Sequence, residues 1–208
     1  MNNLENTTTL VLLAGGKSSR MGTQKGLLKH QNSFWLLLQI ETYIGTEVII
    51  GLGYESQLYF NAIPWLKNAV KTAINYKGKK VRVVINPSPE LGLFSNLQST
   101  LRHINPDQQI LILPIDVPLL NTKGQKKLIT KENIIVIPKY QGKKGHPVKM
   151  SSEYWPSFLN INLNDDNARL DYQIKKNNPS KISLIEASDR LCILNLNTPK
   201  DWQAYISS

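Results

Sequence analysis

The chain has 208 residues, 41% hydrophobic and 19% charged, which suits one well-buried α/β domain and is short for two, and no apolar run approaches the roughly 18–20 residues of a membrane span. Twenty-five Lys and Arg against 15 Asp and Glu leave a formal charge of +10, which favours anionic partners. The basic residues lie scattered in pairs such as Lys79-Lys80 and Lys143-Lys144, without a basic arm or helix, which argues against a nucleic-acid binder.

The first ten residues are too polar for a signal peptide, and the single cysteine, Cys192, has no internal disulfide partner. A cytoplasmic protein with a buried strand thiol is expected. The first predicted strand, residues 10–14, is a Leu- and Val-rich run that stops at Gly15-Gly16. Glycines at a strand end let backbone N–H groups approach a ligand closely. Arg20 and Lys25 add two positive charges a few residues on, suited to the oxygens of a triphosphate. The loop is not a Walker A motif: Gly16-Lys17-Ser18 matches its end, but its first glycine position is Val11, inside the strand. A partial dinucleotide fingerprint at Gly51-Leu52-Gly53 fails at Ser56.

Downstream, strands are predicted at 48–51, 81–85, 110–114 and 134–137, and helices at 34–43, 56–76, 95–104 and 122–131, with Ser95 as the N-cap of the third helix. Their alternation predicts a parallel sheet with crossover helices. Asp116 follows the strand 110–114, so it falls on the rim where open parallel sheets bind ligands, beside the glycine loop. Mg²⁺ takes oxygen ligands and commonly uses one or two protein groups plus substrate phosphates, so Asp116 and one amide oxygen suffice. The alternative is a turn-forming Asp between Pro114 and Pro118. Residues 138–147 read as a loop forming a mobile wall of the site. A short run at 148–150, a helix over 167–176 capped by Asp165 or Asp166, strands at 182–185 and 191–196, and a last helix opened by Pro199 complete the chain. No repeat or low-complexity linker is visible, so one domain over 1–208 is expected.

Residues 13–25, L-A-G-G-K-S-S-R-M-G-T-Q-K, resemble the signature L-A-(A/G)-G-x-S-x-R-M-G-x-x-K of the Rossmann-like nucleotidyltransferases, most closely the molybdenum cofactor guanylyl- and cytidylyltransferases. The resemblance spans nearly the whole chain, with residues 30–80 matching poorly. It implies a three-layer α/β fold, mostly parallel with helices on both faces, with a nucleotide-binding part over 1–120 and an acceptor-binding part over 121–208. It implies nucleotide contacts by Leu13, Ala14, Gly15, Gly16, Ser18, Gly22, Lys25, Asn86, Gly92 and Ser95, with Arg20, Lys25 and Asp116 catalytic and Asp116 on Mg²⁺. A late family motif, D/N-x-D/N-T-P-E-(D/E), is matched by Asn195-Leu196-Asn197-Thr198-Pro199-Lys200-Asp201 apart from Lys200, implying Asn195, or next Asn197, as a second metal ligand. The same stretch reads equally as a helix-start turn.

Residues 92–97 resemble the base-reading loop G-x-x-S-S-L of the cytidylyl branch, whereas Gly15-Gly16 is the guanylyl form, so GTP and CTP both stay open. Gly145-His146-Pro147 and residues 164–169 resemble that branch's G-H-P and G-D-x-G-A-R, implying acceptor contacts by His146 and Arg169. For His146, positioning is favoured over general-base work, and for Arg169 a salt bridge to Asp165 or Asp166 is the equal alternative. The implied activity is Mg²⁺-dependent transfer of NMP from GTP or CTP to a phosphorylated acceptor, molybdopterin, with release of pyrophosphate. Transient contact with a molybdoenzyme or its chaperone is implied, with no membrane or specific nucleic-acid partner. The alternatives are a sugar- or alditol-phosphate acceptor, and a non-catalytic nucleotide-binding regulator, motivated by Lys200 and the neutral Asn195.

Overall fold

A computed structural model of the protein describes residues 8–207. Residues 1–7, which carry most of the polar stretch read against a signal peptide, lie outside the described residues. In chain order the elements are β1 (Thr8–Ala14), a hairpin of β2 (Lys29–His30) and β3 (Ser33–Phe34), α1 (Trp35–Thr42), β4 (Glu47–Leu52), α2 (Ser56–Ala62), α3 (Trp65–Lys71), β5 (Ile74–Tyr76), β6 (Lys79–Ile85), α4 (Leu93–Leu101), β7 (Gln109–Pro114), α5 (Thr122–Thr130), β8 (Ile135–Tyr140), β9 (Lys143–Lys144), β10 (Val148–Met150), α6 (Leu170–Lys175), β11 (Ile182–Glu186) and α7 (Pro199–Ile206).

Every residue of β1 is buried, and alternate side chains point to opposite faces. Leu10, Leu12 and Ala14 enter one hydrophobic core with Leu36 of α1, Leu66 of α3 and Trp202 of α7. Val11 and Leu13 enter another with Phe94 and Leu97 of α4 and with Trp155 and Phe158. Burial on both faces is what a central parallel strand requires, and the result is the expected three layers. The nine-stranded sheet has the order β11-β8-β10-β7-β1-β4-β6-β5, with β9 paired to β8. β1 pairs in parallel with both β4 and β7, while β10 is antiparallel to β7 and β8. The chain leaves β1 toward β4 and β6, then returns to lay β7 on the other side, which makes the carboxyl ends of β1 and β7 a topological switch point.

Several local expectations are corrected. Residues 56–76 are not one helix: Pro64 lacks an N–H and pushes the residue before it out of helical geometry, and Ile63 sits at φ −135°, ψ 78°. Two short helices and the edge strand β5 result. Ser95 is not an N-cap; Gly92, at φ 85°, precedes α4 and Ser95 lies inside it. The expected strand at 191–196 is a tight 3₁₀ turn over Arg190–Ile193, started by Asp189, whose side chain accepts from Leu191 N. Cys192 is therefore a buried turn thiol rather than a strand thiol. Helix α6 begins three residues later than expected, because the Asp165 side chain caps a preceding turn by accepting from Asn167 N at 2.8 Å. The loop expected at 138–147 is largely a hairpin, with Lys139 and Tyr140 in β8 facing Lys144 and Lys143 in β9.

Candidate active site

At the switch point the backbone stitches three distant segments together. Ile115 N donates to Leu13 O at 2.9 Å, and Leu196 N donates to Asp116 O at 2.8 Å. Onto this frame Lys25 projects its ammonium between two oxygens, 2.9 Å from Asp116 Oδ2 and 2.7 Å from Asn197 Oδ1. The Lys25 and Asp116 side chains are only 13% and 22% exposed, so the pair is shielded from full solvent screening.

Asn197 is aimed by the start of α7. There Thr198 Oγ1 accepts from Asp201 N while Asp201 Oδ2 accepts from Thr198 N and Asn197 N, a reciprocal capping box. The Thr198 hydroxyl's hydrogen bond foremost, then the Thr198 and Asn197 amides and the charge of Arg20, hold the Asp201 carboxyl below its ordinary 3.8. Arg20 itself is exposed on the glycine loop. Asn195 is also exposed, and its Nδ2 reaches only the Ile193 carbonyl, at 3.5 Å.

The glycine loop folds on itself. Ser18 adopts a left-handed φ of 52°, its carbonyl accepts from Met21 N at 2.9 Å, and its hydroxyl accepts from Lys25 N at 3.3 Å. Buried Gln24 braces the loop from beneath by donating to Glu55 Oε2 at 2.8 Å, a contact with no local sequence signal. Gly16 and Gly22 remain exposed.

Asn86 and Ser95 turn inward. Asn86 Nδ2 donates to Ser95 Oγ at 2.8 Å, and Ser95 Oγ reaches the Ser88 and Gly92 carbonyls at 2.9 Å. Their side chains brace the loop between β6 and α4 from within, Asn86 Oδ1 also accepting from Ser88 N at 3.1 Å.

Next to this edge lies a cavity of about 520 Å³, walled by Leu13, Phe94, Leu97, Ile137, Val148, Ala168 and Ile174 and edged by Lys144, His146, Arg169 and Lys175. The structure thus brings His146 and Arg169 to one cavity. Its apolar walls on α4 and α6 read in the sequence only as core. Arg169 pairs with Asp171, Nε to Oδ1 at 3.1 Å, instead of with Asp165 or Asp166. Burial pushes the His146 imidazole below its ordinary 6.5, partly offset by the Ile112 carbonyl and the charge of Asp116. Its Nδ1 is buried without a hydrogen-bond partner among the described residues.

Among the described residues no group of three or more His, Cys, Asp or Glu side chains converges to hold a metal. Asp116 Oδ2 and Asn197 Oδ1 do converge, both on the Lys25 ammonium, and two hard oxygens so placed are a donor set that fits Mg²⁺. No helix among the described residues is long and apolar enough to cross a membrane.

Comparison with known proteins adds identity to this geometry. A family model described as MobA-like NTP transferase domain matches residues 10–176. A Flavobacterium johnsoniae protein named probable molybdenum cofactor guanylyltransferase is 26% identical over 196 residues, covering 92% of this chain and 93% of that one. Among solved structures, Rv0371c from Mycobacterium tuberculosis H37Rv superposes with a TM-score of 0.75 at 20% identity over 98% of each chain. A further crystal structure of Rv0371c, in complex with manganese, gives 0.69 at 17% identity over 98% of this chain and all of that one. Molybdopterin-guanine dinucleotide biosynthesis protein A from Archaeoglobus fulgidus gives 0.67 at 14% identity, over 96% of this chain and 97% of that one.

Proposed function

The chain belongs to the MobA-like NTP transferase family and is a nucleotidyltransferase, and from that premise we propose that it transfers NMP from GTP or CTP to the phosphate of molybdopterin. GTP is the first choice, supported by the name of the Flavobacterium relative. The observation that carries the reading is the Lys25 ammonium held between Asp116 and Asn197 at the carboxyl edge of β1 and β7.

In the reaction an oxygen of the acceptor phosphate attacks the α-phosphorus of the nucleotide in line. The bond from that phosphorus to the bridging oxygen breaks, and pyrophosphate leaves with its electron pair. Little covalent work falls to the protein; alignment and charge compensation lower the barrier. Lys25 and Arg20 supply fixed positive charge, and the exposed backbone at Gly16 and Gly22 supplies room for close approach. Asp116 and Asn197 are the oxygens to hold Mg²⁺, which when bound neutralises triphosphate charge.

The cavity supports a ring-bearing acceptor. A polyol laid against Leu13, Phe94, Leu97 and Val148 would leave hydroxyls unpaired, which is costly, whereas a flat heterocycle buries apolar surface there. Lys144, Arg169 and Lys175 at the rim suit its anionic end. The acceptor would thus meet both parts, Leu13, Phe94 and Leu97 from 1–120 and Val148, Ala168 and Ile174 from 121–208, while Asn197 reaches back to Lys25.

Pyrophosphate release measured with each of the four NTPs, with and without molybdopterin, tests this reading. Release with one NTP only when molybdopterin is present is the expected result. Release with a sugar or alditol phosphate in its place would overturn the acceptor, and nucleotide binding without turnover under any condition would make the chain a regulator.

A further inference from the structure

The partial fingerprint Gly51-Leu52-Gly53 plays no part in the site described above, yet the structure packs Gly53 against Gly15 of the glycine loop and Gly51 against α4. Between Gly51 and Gly15 stands Asn96 of α4, 2% exposed. Its Nδ2 donates to Gly51 O at 3.0 Å. A Cβ added to Gly15 would lie 2.2 Å from Asn96 Nδ2, and one added to Gly51 would lie 2.3 Å from Asn96 Oδ1. The amide therefore lies flush on the bare Cα atoms at the ends of both β1 and β4. Gly53 closes the stack from outside: a Cβ there would sit 2.5 Å from Gly15 O, and Tyr54 N donates to that same carbonyl at 3.2 Å.

This cluster fixes a direction. Because the peptide unit is planar and trans, the N–H of Gly16 points opposite to the carbonyl of Gly15. With that carbonyl committed to Tyr54 N, the Gly16 N–H faces away from β4, and a Cβ on Gly16 would meet nothing within 4 Å. Asn96 Oδ1, meanwhile, is buried with no hydrogen-bond partner among the described residues. A side chain that sacrifices stability where a smaller one would pack marks a position set by function.

We propose that Asn96 is a positioning residue: wedged between Gly15 and Gly51, it sets the height and tilt of the Gly15-Gly16 peptide so that the Gly16 N–H meets a phosphate oxygen of the nucleoside triphosphate. The assignment rests on the nucleotidyltransferase reading above. It also makes residues 15 and 96 a steric pair: the Asn96 amide is the nearest obstacle to a side chain at 15, with the Gly53 backbone N next at 3.2 Å.

Three variants test the pair: Asn96→Ser, Gly15→Ala, and the two combined. Each is read by Tm without substrate, by titration with a non-hydrolysable GTP analogue and Mg²⁺, and by kcat and KM for pyrophosphate release. Asn96→Ser should stay folded and lose about tenfold in kcat, and Gly15→Ala, whose methyl must displace the amide, about 10²-fold, the scale of a small misplacement. The double variant should regain part of what Gly15→Ala loses, since the nearest clash, with Asn96 Nδ2, is gone while the Gly53 N contact at 3.2 Å stays, with Tm and kcat both non-additive. Losses that simply multiply, or an Asn96→Ser protein with wild-type kcat and analogue affinity, would overturn the proposal while leaving the nucleotidyltransferase reading standing. A wild-type protein that binds no triphosphate analogue would remove that reading, and this one with it. Should Gly15→Ala fold poorly, recovery of its Tm in the double variant still reports the steric pair.

Discussion

Lys25 carries the largest single consequence at the scale of one residue. Its ammonium touches Asp116 and Asn197 and belongs to no hydrophobic core, so Lys25→Ala should fold normally. On the proposed role in charge compensation its removal should lower kcat by about 10²–10³-fold; unchanged pyrophosphate release would dismiss the role. Asp116→Ala should raise the Mg²⁺ concentration needed for half-maximal rate, read from a metal titration. His146 controls a pH effect. Burial depresses its pKa below 6.5, so between that folded value and 6.5 the unfolded chain binds more protons than the folded one. The stabilisation is then fully present above 6.5 and is lost as pH falls toward the folded value. Tm should drop on going from about pH 7 to about pH 5, and less steeply in His146→Gln; equal slopes would refute the assignment. Lys25 and Asp116 were legible because each follows a strong strand signal at a set spacing. The sequence ranked Asn195 ahead of Asn197, and it is Asn197 that reaches Lys25: which of two alternate side chains turns inward depends on the hydrogen bonds that start α7, not on residue type. Asn96 entered the sequence reading only within the loop resemblance over 92–97, and its packing on Gly15 and Gly51 was hidden because a polar residue in an amphipathic helix resembles any solvated position until its strand neighbours are known.

Among the elements, α7 has the clearest link between stability and chemistry. Thr198→Ala removes half of the capping box and should cost about 1 kcal/mol, about 2–4 °C in Tm for a chain of this size. Because Asn197 shares that turn, kcat should fall as well, and a lowered Tm with unchanged kcat would show that the turn does not position Asn197. Pro199 and Thr198 announced this helix start in the sequence. Other boundaries were harder to read. The apolar run at 191–196 resembles a strand, but Asp189 captures Leu191 N and winds the chain into a 3₁₀ turn, where Cys192 packs with Leu120, Leu128 and Val136. In 56–76 the helical periodicity outweighed Pro64, whose backbone effect decides the break. The three-residue strand β10 was invisible as such, since its length suits many conformations and only the gap between β7 and β8 selects one.

For the molecule as a whole, alternation of short apolar runs with helical segments was sufficient to read the layered parallel sheet, since strands buried on both faces admit few other arrangements. The cavity was not readable, because its walls come from β1, α4, β8, β10 and α6 and no local pattern joins them. Ala168→Phe should fill part of it, raising KM for the acceptor severalfold while leaving affinity for the nucleotide analogue untouched; an equal effect on both would place the acceptor elsewhere. The hydrogen bond from Lys25 to Asn197 spans 172 positions of sequence. The ammonium therefore cannot find its amide partner until synthesis has passed residue 197, and a protease that clips the chain just ahead of Asn197 should lower pyrophosphate release while sparing most of the sheet.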